Sequence, residues 1–198
     1  MAPWNALAVG LTDSDICSQV NKGEATFSDA YRETAEKIKE LVSYAEPNPY
    51  AYGYNDACTA FARGEAAMYP IGSYAIPQIK SVNPDMNIGS FTFPANDEEA
   101  DNVLNSGIDL QFSVLKESKN KEAAYEVLRF LYEDETIQIY LDDQGGIACK
   151  EGDFELAPEL EDMRSYIEEG RMADFHDHHY PSEMSVDAMV QTYLLDDS

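Results

Sequence analysis

The densest group of chemistry-bearing side chains is Asp174-Phe175-His176-Asp177-His178-His179, which holds all three histidines of the chain. Imidazole and carboxylate ligands at this density suit a divalent metal, and a small metal-dependent α/β hydrolase is the alternative reading they support. The spacing argues against it. A helical metal site sets two histidines at i and i+4, and no distant histidine remains to complete a set. The stretch reads as a solvated or rim-lining loop, and no metal site is assigned to it. Nucleophile chemistry fares no better. The patterns G-x-S-x-G, G-x-G-x-x-G and the phosphate loop are absent, and no histidine adjoins Ser73 to activate it. Paired carboxylates occur throughout so acidic a chain and single out no glycosidase pair, which needs a specific separation. No catalytic residue and no cofactor is assigned.

Binding without reaction is better motivated, and its centre is Asn55–Ala75 (NDACTAFARGEAAMYPIGSYA). Asn55 can cap a short helix in which Cys58, Phe61 and Ala62 share a face, and Gly64 suits the left-handed residue after its end. Glu65–Tyr69 reads as a small-residue strand. Pro70 stops pairing, Gly72 gives a tight turn, and Ser73 is the expected cap of a helix beginning at Tyr74. Helix, strand, glycine turn and an aromatic at a helix start present a ring and backbone amides at a sheet edge, where open α/β sheets bind ligands.

Other elements must hold this stretch in place. Thr26 and Asp29 read as a capping box opening a helix to about Ala45, with Tyr31, Ala35, Ile38, Leu41 and Val42 on one side. Pro47–Asn55 is a tyrosine-rich loop with no assigned role. Asn87–Phe93 and Gly107–Leu115 are expected strands, joined by an acidic loop. Ser118 is the expected cap of a long helix whose stripe is Ala124, Val127, Leu128 and Leu131. A further turn or two of helix at Thr136–Leu141 breaks at Gln144-Gly145-Gly146. Pro158 opens another helix ending at Gly170, and Ser182–Leu195 is the last.

Composition bounds the answer. With 198 residues and 44% hydrophobic content, the chain can bury a real core. Its net charge of −25 argues against nucleic acid or anionic lipid as a partner. No apolar run approaches the ~20 residues that cross a bilayer. Cys17, Cys58 and Cys149 show neither metal spacing nor a disulfide framework, and Cys58 reads as a small buried hydrophobe. Met1-Ala2-Pro3-Trp4 lacks the charged and apolar regions of a signal peptide.

The segment F-A-R-G-E-A-A-M-Y-P-I-G-S-Y (Phe61–Tyr74) resembles the extracellular solute-binding proteins of ABC importers, in the carbohydrate-binding, maltose-binding-protein-like family 1. Gly107–Val114, Ser118–Leu131 and Gly145-Gly146 match further motifs in family order, over roughly residues 25–195. The resemblance implies an α/β, periplasmic-binding-protein-like (type II) lobe, a mixed sheet flanked by helices. Because members are about twice as long, the chain reads as a fragment of a two-lobe protein. Residues 1–25 would be an interlobe crossing or remnant of the first lobe, and 26–198 mostly the second lobe, its last helices packing toward the first. The implied function is the substrate-binding component of an ABC transporter, a non-enzyme that captures a sugar or oligosaccharide between lobes for a membrane permease. The implied location is extracellular or periplasmic, with membrane attachment only through a lipid anchor missing from this fragment.

Sugars offer an apolar face and a rim of hydroxyls, so their sites pair aromatic platforms with acidic or amide groups. By resemblance, Tyr74 is the stacking aromatic, where the family pattern has Trp. Asp109 would accept hydroxyl hydrogen bonds, with Gly72, Ser73 and Gly107 letting backbone approach. Tyr180 and Met184 match the loop before the last helix, and Trp4 lies where members sometimes place a stacking ring.

Overall fold

A computed structural model describes residues 1–181 and 183–196. Helices carry the fold. The N-terminal third holds α1 (Ala2–Leu11), α2 (Ile16–Lys22), α3 (Phe27–Ala30) and α4 (Arg32–Ser43). The middle holds α5 (Tyr54–Ala62) and α6 (Ala75–Val82), and the remainder α7 (Lys121–Leu131), α8 (Asp134–Gln144), α9 (Arg164–Glu168) and α10 (Val186–Leu195). Among the described residues the one sheet is a parallel pair, β1 (Leu104–Asn105) on β2 (Met172–Ala173).

Two apolar clusters organise these elements. The larger gathers Trp4, Leu7 and Ala8 of α1, Ile16 of α2, Tyr31, Ile38 of α4, Ala95 and Val186, so both ends of the chain meet in one core. Gly10 is required there. A Cβ at that position would overlap the Cβ of Ala95, which cannot rotate away. Lys37 secures the same loop by donating to the Ala95 carbonyl at 2.7 Å. The smaller cluster packs Cys58 and Ala62 of α5 against Ala75 and Ile79 of α6, with Phe61, Tyr69, Ile71, Met86 and Ile88 around them.

Several local expectations hold. Thr26 accepts from the Asp29 amide at 3.2 Å and donates to its carboxylate at 2.8 Å, although the helix it opens is interrupted at Tyr31. Gly64 takes the expected left-handed conformation after α5, and the helices end as expected before Gly145 and Gly170, which are left-handed too. Cys58 is buried on α5 as a small hydrophobe.

Other expectations are corrected. Among the described residues the mixed sheet is not formed. Glu65–Tyr69, which bends at Glu65 and Ala67, Asn87–Phe93 and Gly107–Leu115 have no ladder partners among the described residues, and Phe91, Ile108, Leu110 and Phe112 stay exposed. A strand exists only through its neighbours, and apolar alternation signals a surface that fits a sheet, not the partner that completes it. The same holds for α7. Its amphipathic period is real, yet Val127 and Phe130 face solvent because no described element lies over them. Caps differ too. The residue before α5 is Gly53, so Asn55 lies inside the helix. Tyr74 precedes α6 without a Ser73 side-chain bond, and Asn120 precedes α7, with Ser118 accepting from the Asn120 amide. The last helix begins at Val186, four residues beyond the expected Ser182, which lies outside the described residues.

Candidate ligand-binding site

The eight sequence-selected residues fall into three places. Gly72, Ser73, Tyr74 and Asp109 gather at the start of α6. Leaving α5, the chain reverses at Gly64, whose amide bonds to the Phe61 carbonyl at 2.9 Å, and passes bends at Glu65 and Ala67 on its way to Ile71. The amides of Ala75 and Ile76 then close on the carbonyls of Gly72 (3.0 Å) and Ser73 (2.9 Å). This turn folds the Tyr74 ring back over Gly72, where any Cβ would overlap it. Gly145 brings the end of α8 against the same turn, with space for a Cβ only 3.3 Å from the Ser73 carbonyl oxygen.

Tyr74 is 50% exposed, and Tyr54, 44% exposed, stands beside it with ring centroids 6.1 Å apart and planes at 35°. The Tyr54 hydroxyl donates to the Tyr74 carbonyl at 3.2 Å. Two rings therefore form one tilted apolar platform, anchored from below by the α5–α6 cluster. Asp109 lies within electrostatic reach of Tyr74 and of Tyr140 on α8. Partial burial pushes both phenols above their ordinary value; for Tyr140 the Asp109 carboxylate comes next, while for Tyr74 the Gly72 backbone opposes the shift and Cys58 and then Asp109 add to it. Tyr54 and Tyr140 were missed from the sequence. The tyrosine-rich loop was the signal for Tyr54. Tyr140 had none, because its period on α8 does not say which loop it will meet.

Trp4, Tyr180 and Met184 lie elsewhere, in and against the larger core. Trp4 is 7% exposed, stacks on Tyr31 at 5.6 Å and donates from Nε1 to the Tyr180 hydroxyl at 3.3 Å. Tyr180 meets Tyr31 and Phe27 edge-on at 6.0 and 6.1 Å. Its ring and Met184 also border a shallow depression of about 290 Å³, with Asp177 and Asp187 at the rim. A wider depression of about 510 Å³ runs along the charged side of α3–α4 and contains no aromatic, so volume alone is no guide to the site.

Gly107 belongs to neither group. A Cβ there would overlap the Asp174 carboxylate, because β2 runs directly into the histidine loop and the Ser106 amide, just after β1, bonds to the Ala173 carbonyl at 2.9 Å. In that loop Asp174 pairs with His178 at 2.9 Å and His179 at 3.4 Å. Among the described residues no three His, Cys, Asp or Glu side chains gather to hold a metal.

The chain also resembles known proteins in sequence. The family described as "Bacterial extracellular solute-binding protein" matches residues 2–138. A multiple sugar-binding protein of Streptococcus mutans is 32% identical over 127 residues, which are 64% of this chain and 29% of that protein. The matched part is thus less than a third of that relative's length.

Proposed function

The chain belongs to the bacterial extracellular solute-binding protein family, and from that premise we propose that it acts as the substrate-binding component of an ABC importer, with a carbohydrate as its ligand. The observation that carries the reading is the Tyr54–Tyr74 platform, half-exposed, rigidly backed and set beside Asp109. A pyranose ring would lie on the platform through its C–H face, and its hydroxyls would bond to Asp109, Tyr140 and the Gly72–Ser73 backbone. The sugar-binding relative supports the choice of ligand. The family speaks for binding without turnover, and the metal-dependent hydrolase reading has no support in it. Family membership implies an extracellular or periplasmic place, and among the described residues no helix is long and apolar enough to cross a membrane. Tethering by a lipid anchor is part of the proposal.

In this reading residues 26–198 are mostly the second lobe of a two-lobe protein, and 1–25 lead from the first. The ligand bridges the lobes and stabilises the closed form through contacts the open form lacks, and the permease recognises that form. Tyr74, Gly72, Ser73 and Asp109 meet the ligand in this reading, while Trp4, Tyr180 and Met184 lie in and against the larger core and Gly107 lies beside the histidine loop.

Tyr74→Ala is expected to weaken saccharide binding about 10- to 100-fold, the loss of roughly 1–3 kcal/mol of apolar contact. Its melting temperature should barely move, because the ring covers little of the core. Tyr74→Phe should bind like wild type if stacking is the contact. Calorimetric titration of both variants with neutral mono- and oligosaccharides checks this. A Tyr74→Ala protein that melts much earlier but binds at wild-type strength would place the ring in the core and sink the assignment.

A further inference from the structure

We propose that this chain binds a second copy of itself through residues 106–115, the two segments lying antiparallel about a two-fold axis with Leu110 opposite Leu110.

The segment runs on from β1 without bend, turn or helix as far as Leu115. β1 itself is paired with β2, and the Ser106 amide makes the last bond of that ladder. Among the described residues no backbone amide or carbonyl of residues 107–114 takes part in a hydrogen bond. A straight run of unpaired backbone groups is a template for a further strand. Sheet edges are commonly protected by Lys or Pro, and residues 106–115 contain no Lys, Arg or Pro.

The side chains say which strand fits. Ile108, Leu110 and Phe112 alternate with Asp109, Gln111 and Ser113, and in period two each trio shares a face. The apolar three are 61%, 50% and 57% exposed. In an antiparallel pair, residues directly opposite each other lie on the same face. Centring the two-fold on Leu110 therefore sets Ile108 against Phe112 of the second copy, and Asp109 against its Gln111. All six apolar side chains then share one face. A slip of one residue sets apolar against polar and loses the match. The face of Asp109 stays open, so pairing does not require the ligand platform to be covered.

Charge selects the same stretch. Two copies at −25 repel, so they can meet only where the local charge is small. Residues 103–132 hold four basic and four acidic side chains, and the whole of the −25 therefore lies outside them. That neutral stretch includes α7, whose exposed Val127 and Phe130 add to the apolar surface it offers.

The area agrees. The chain leaves 13354 Å² accessible, whereas a folded monomer of 22.1 kDa exposes about 9,300 Å². The excess, roughly 4,000 Å², is ample for the ~1,000–2,500 Å² that each partner buries in an obligate homodimer. So acidic a chain is a poor match for nucleic acid or anionic lipid, while a neutral, self-complementary segment suits its own copy.

The test is sedimentation velocity of the purified chain from about 1 to 100 µM, with and without added salt. The chain should run as a dimer at the upper end, and salt should strengthen the dimer by screening the charge on each copy. Leu110→Lys/Phe112→Lys should be monomeric at the same concentrations, with an unchanged melting temperature because both side chains are exposed. Cys149 is exposed, so cross-linking is read in a Cys149→Ser background. There Leu110→Cys should give an intermolecular disulfide on mild oxidation, since opposed Cα atoms lie about 4.5–5.5 Å apart. Tyr44→Cys, at a position 79% exposed but outside the segment, should not. A monomer at about 100 µM overturns the proposal and leaves the face to a different protein. So does a dimer that salt weakens, one that survives Leu110→Lys/Phe112→Lys, or an open-ended series of larger species. Equal cross-linking at positions 44 and 110 overturns it as well. If the double variant does not fold, the cross-linking comparison decides. No saccharide enters the test, so it stands apart from the ligand assignment.

Discussion

Trp4→Ala is expected to destabilise the protein by about 3–5 kcal/mol, the usual range for deleting a buried large aromatic. The ring is almost fully buried and stacked on Tyr31, and its N–H donates to the Tyr180 hydroxyl. Truncation removes the packing and leaves the Tyr180 oxygen without that donor. Against a typical total of about 5–15 kcal/mol, a loss of this size is severe. Urea denaturation followed by far-UV circular dichroism measures it. Trp4→Phe should recover most of the loss, since it refills the space and sacrifices one hydrogen bond of ~1 kcal/mol. If Trp4→Ala were within ~0.5 kcal/mol of wild type but weakened saccharide binding, Trp4 would be a ligand platform and its place in the core incidental.

Ile79→Ala is the second large effect, expected at about 2–5 kcal/mol. Ile79 is 3% exposed and fills the seam between α5 and α6, against Cys58, Ala62 and Ala75. Its cost differs in kind from that of Trp4→Ala, because this seam backs the Tyr54–Tyr74 platform. Saccharide affinity should fall together with stability, and Ile79→Val should keep affinity and lose only ~0.5–1.5 kcal/mol. Denaturation curves paired with calorimetry check both. Full affinity in a strongly destabilised Ile79→Ala protein would mean that the platform does not depend on the seam beneath it.

What could be read in the sequence was whatever short-range chemistry decides. The Thr26–Asp29 cap, the left-handed Gly64, the helix ends at Gly145 and Gly170, and the Gly72 turn each depend on residues within a few positions. The motifs at Phe61–Tyr74, Gly107–Val114 and Ser118–Leu131 led to the right family, and all lie inside the matched residues 2–138. Gly145-Gly146 lies beyond them. The match also begins earlier than the motifs did, taking in α1 and α2.

The misses share a cause. Strand pairing, the company of α7 and the burial of His176 are decided by parts of the chain far away in sequence. His176 meets Tyr31 across 145 positions and Thr12 across 164. Nothing in Asp174–His179 itself distinguishes the buried imidazole from the two half-exposed ones beside it. Tyr54 and Tyr74 are only twenty residues apart, yet their approach needs the α5–α6 reversal to be known first.

Trp4 is the only tryptophan among 198 residues, beside 13 tyrosines. Its indole is sealed from water, stacked on one tyrosine and bonded to a second, with an imidazole one hydroxyl further on. The chain thus carries its own optical label at the junction of α1, α4 and the histidine loop. Light absorbed by the surrounding tyrosines drains to a single emitter whose colour reports local wetness. Any rearrangement of that junction therefore registers as one spectral event, with no dye attached and no second tryptophan to average it away.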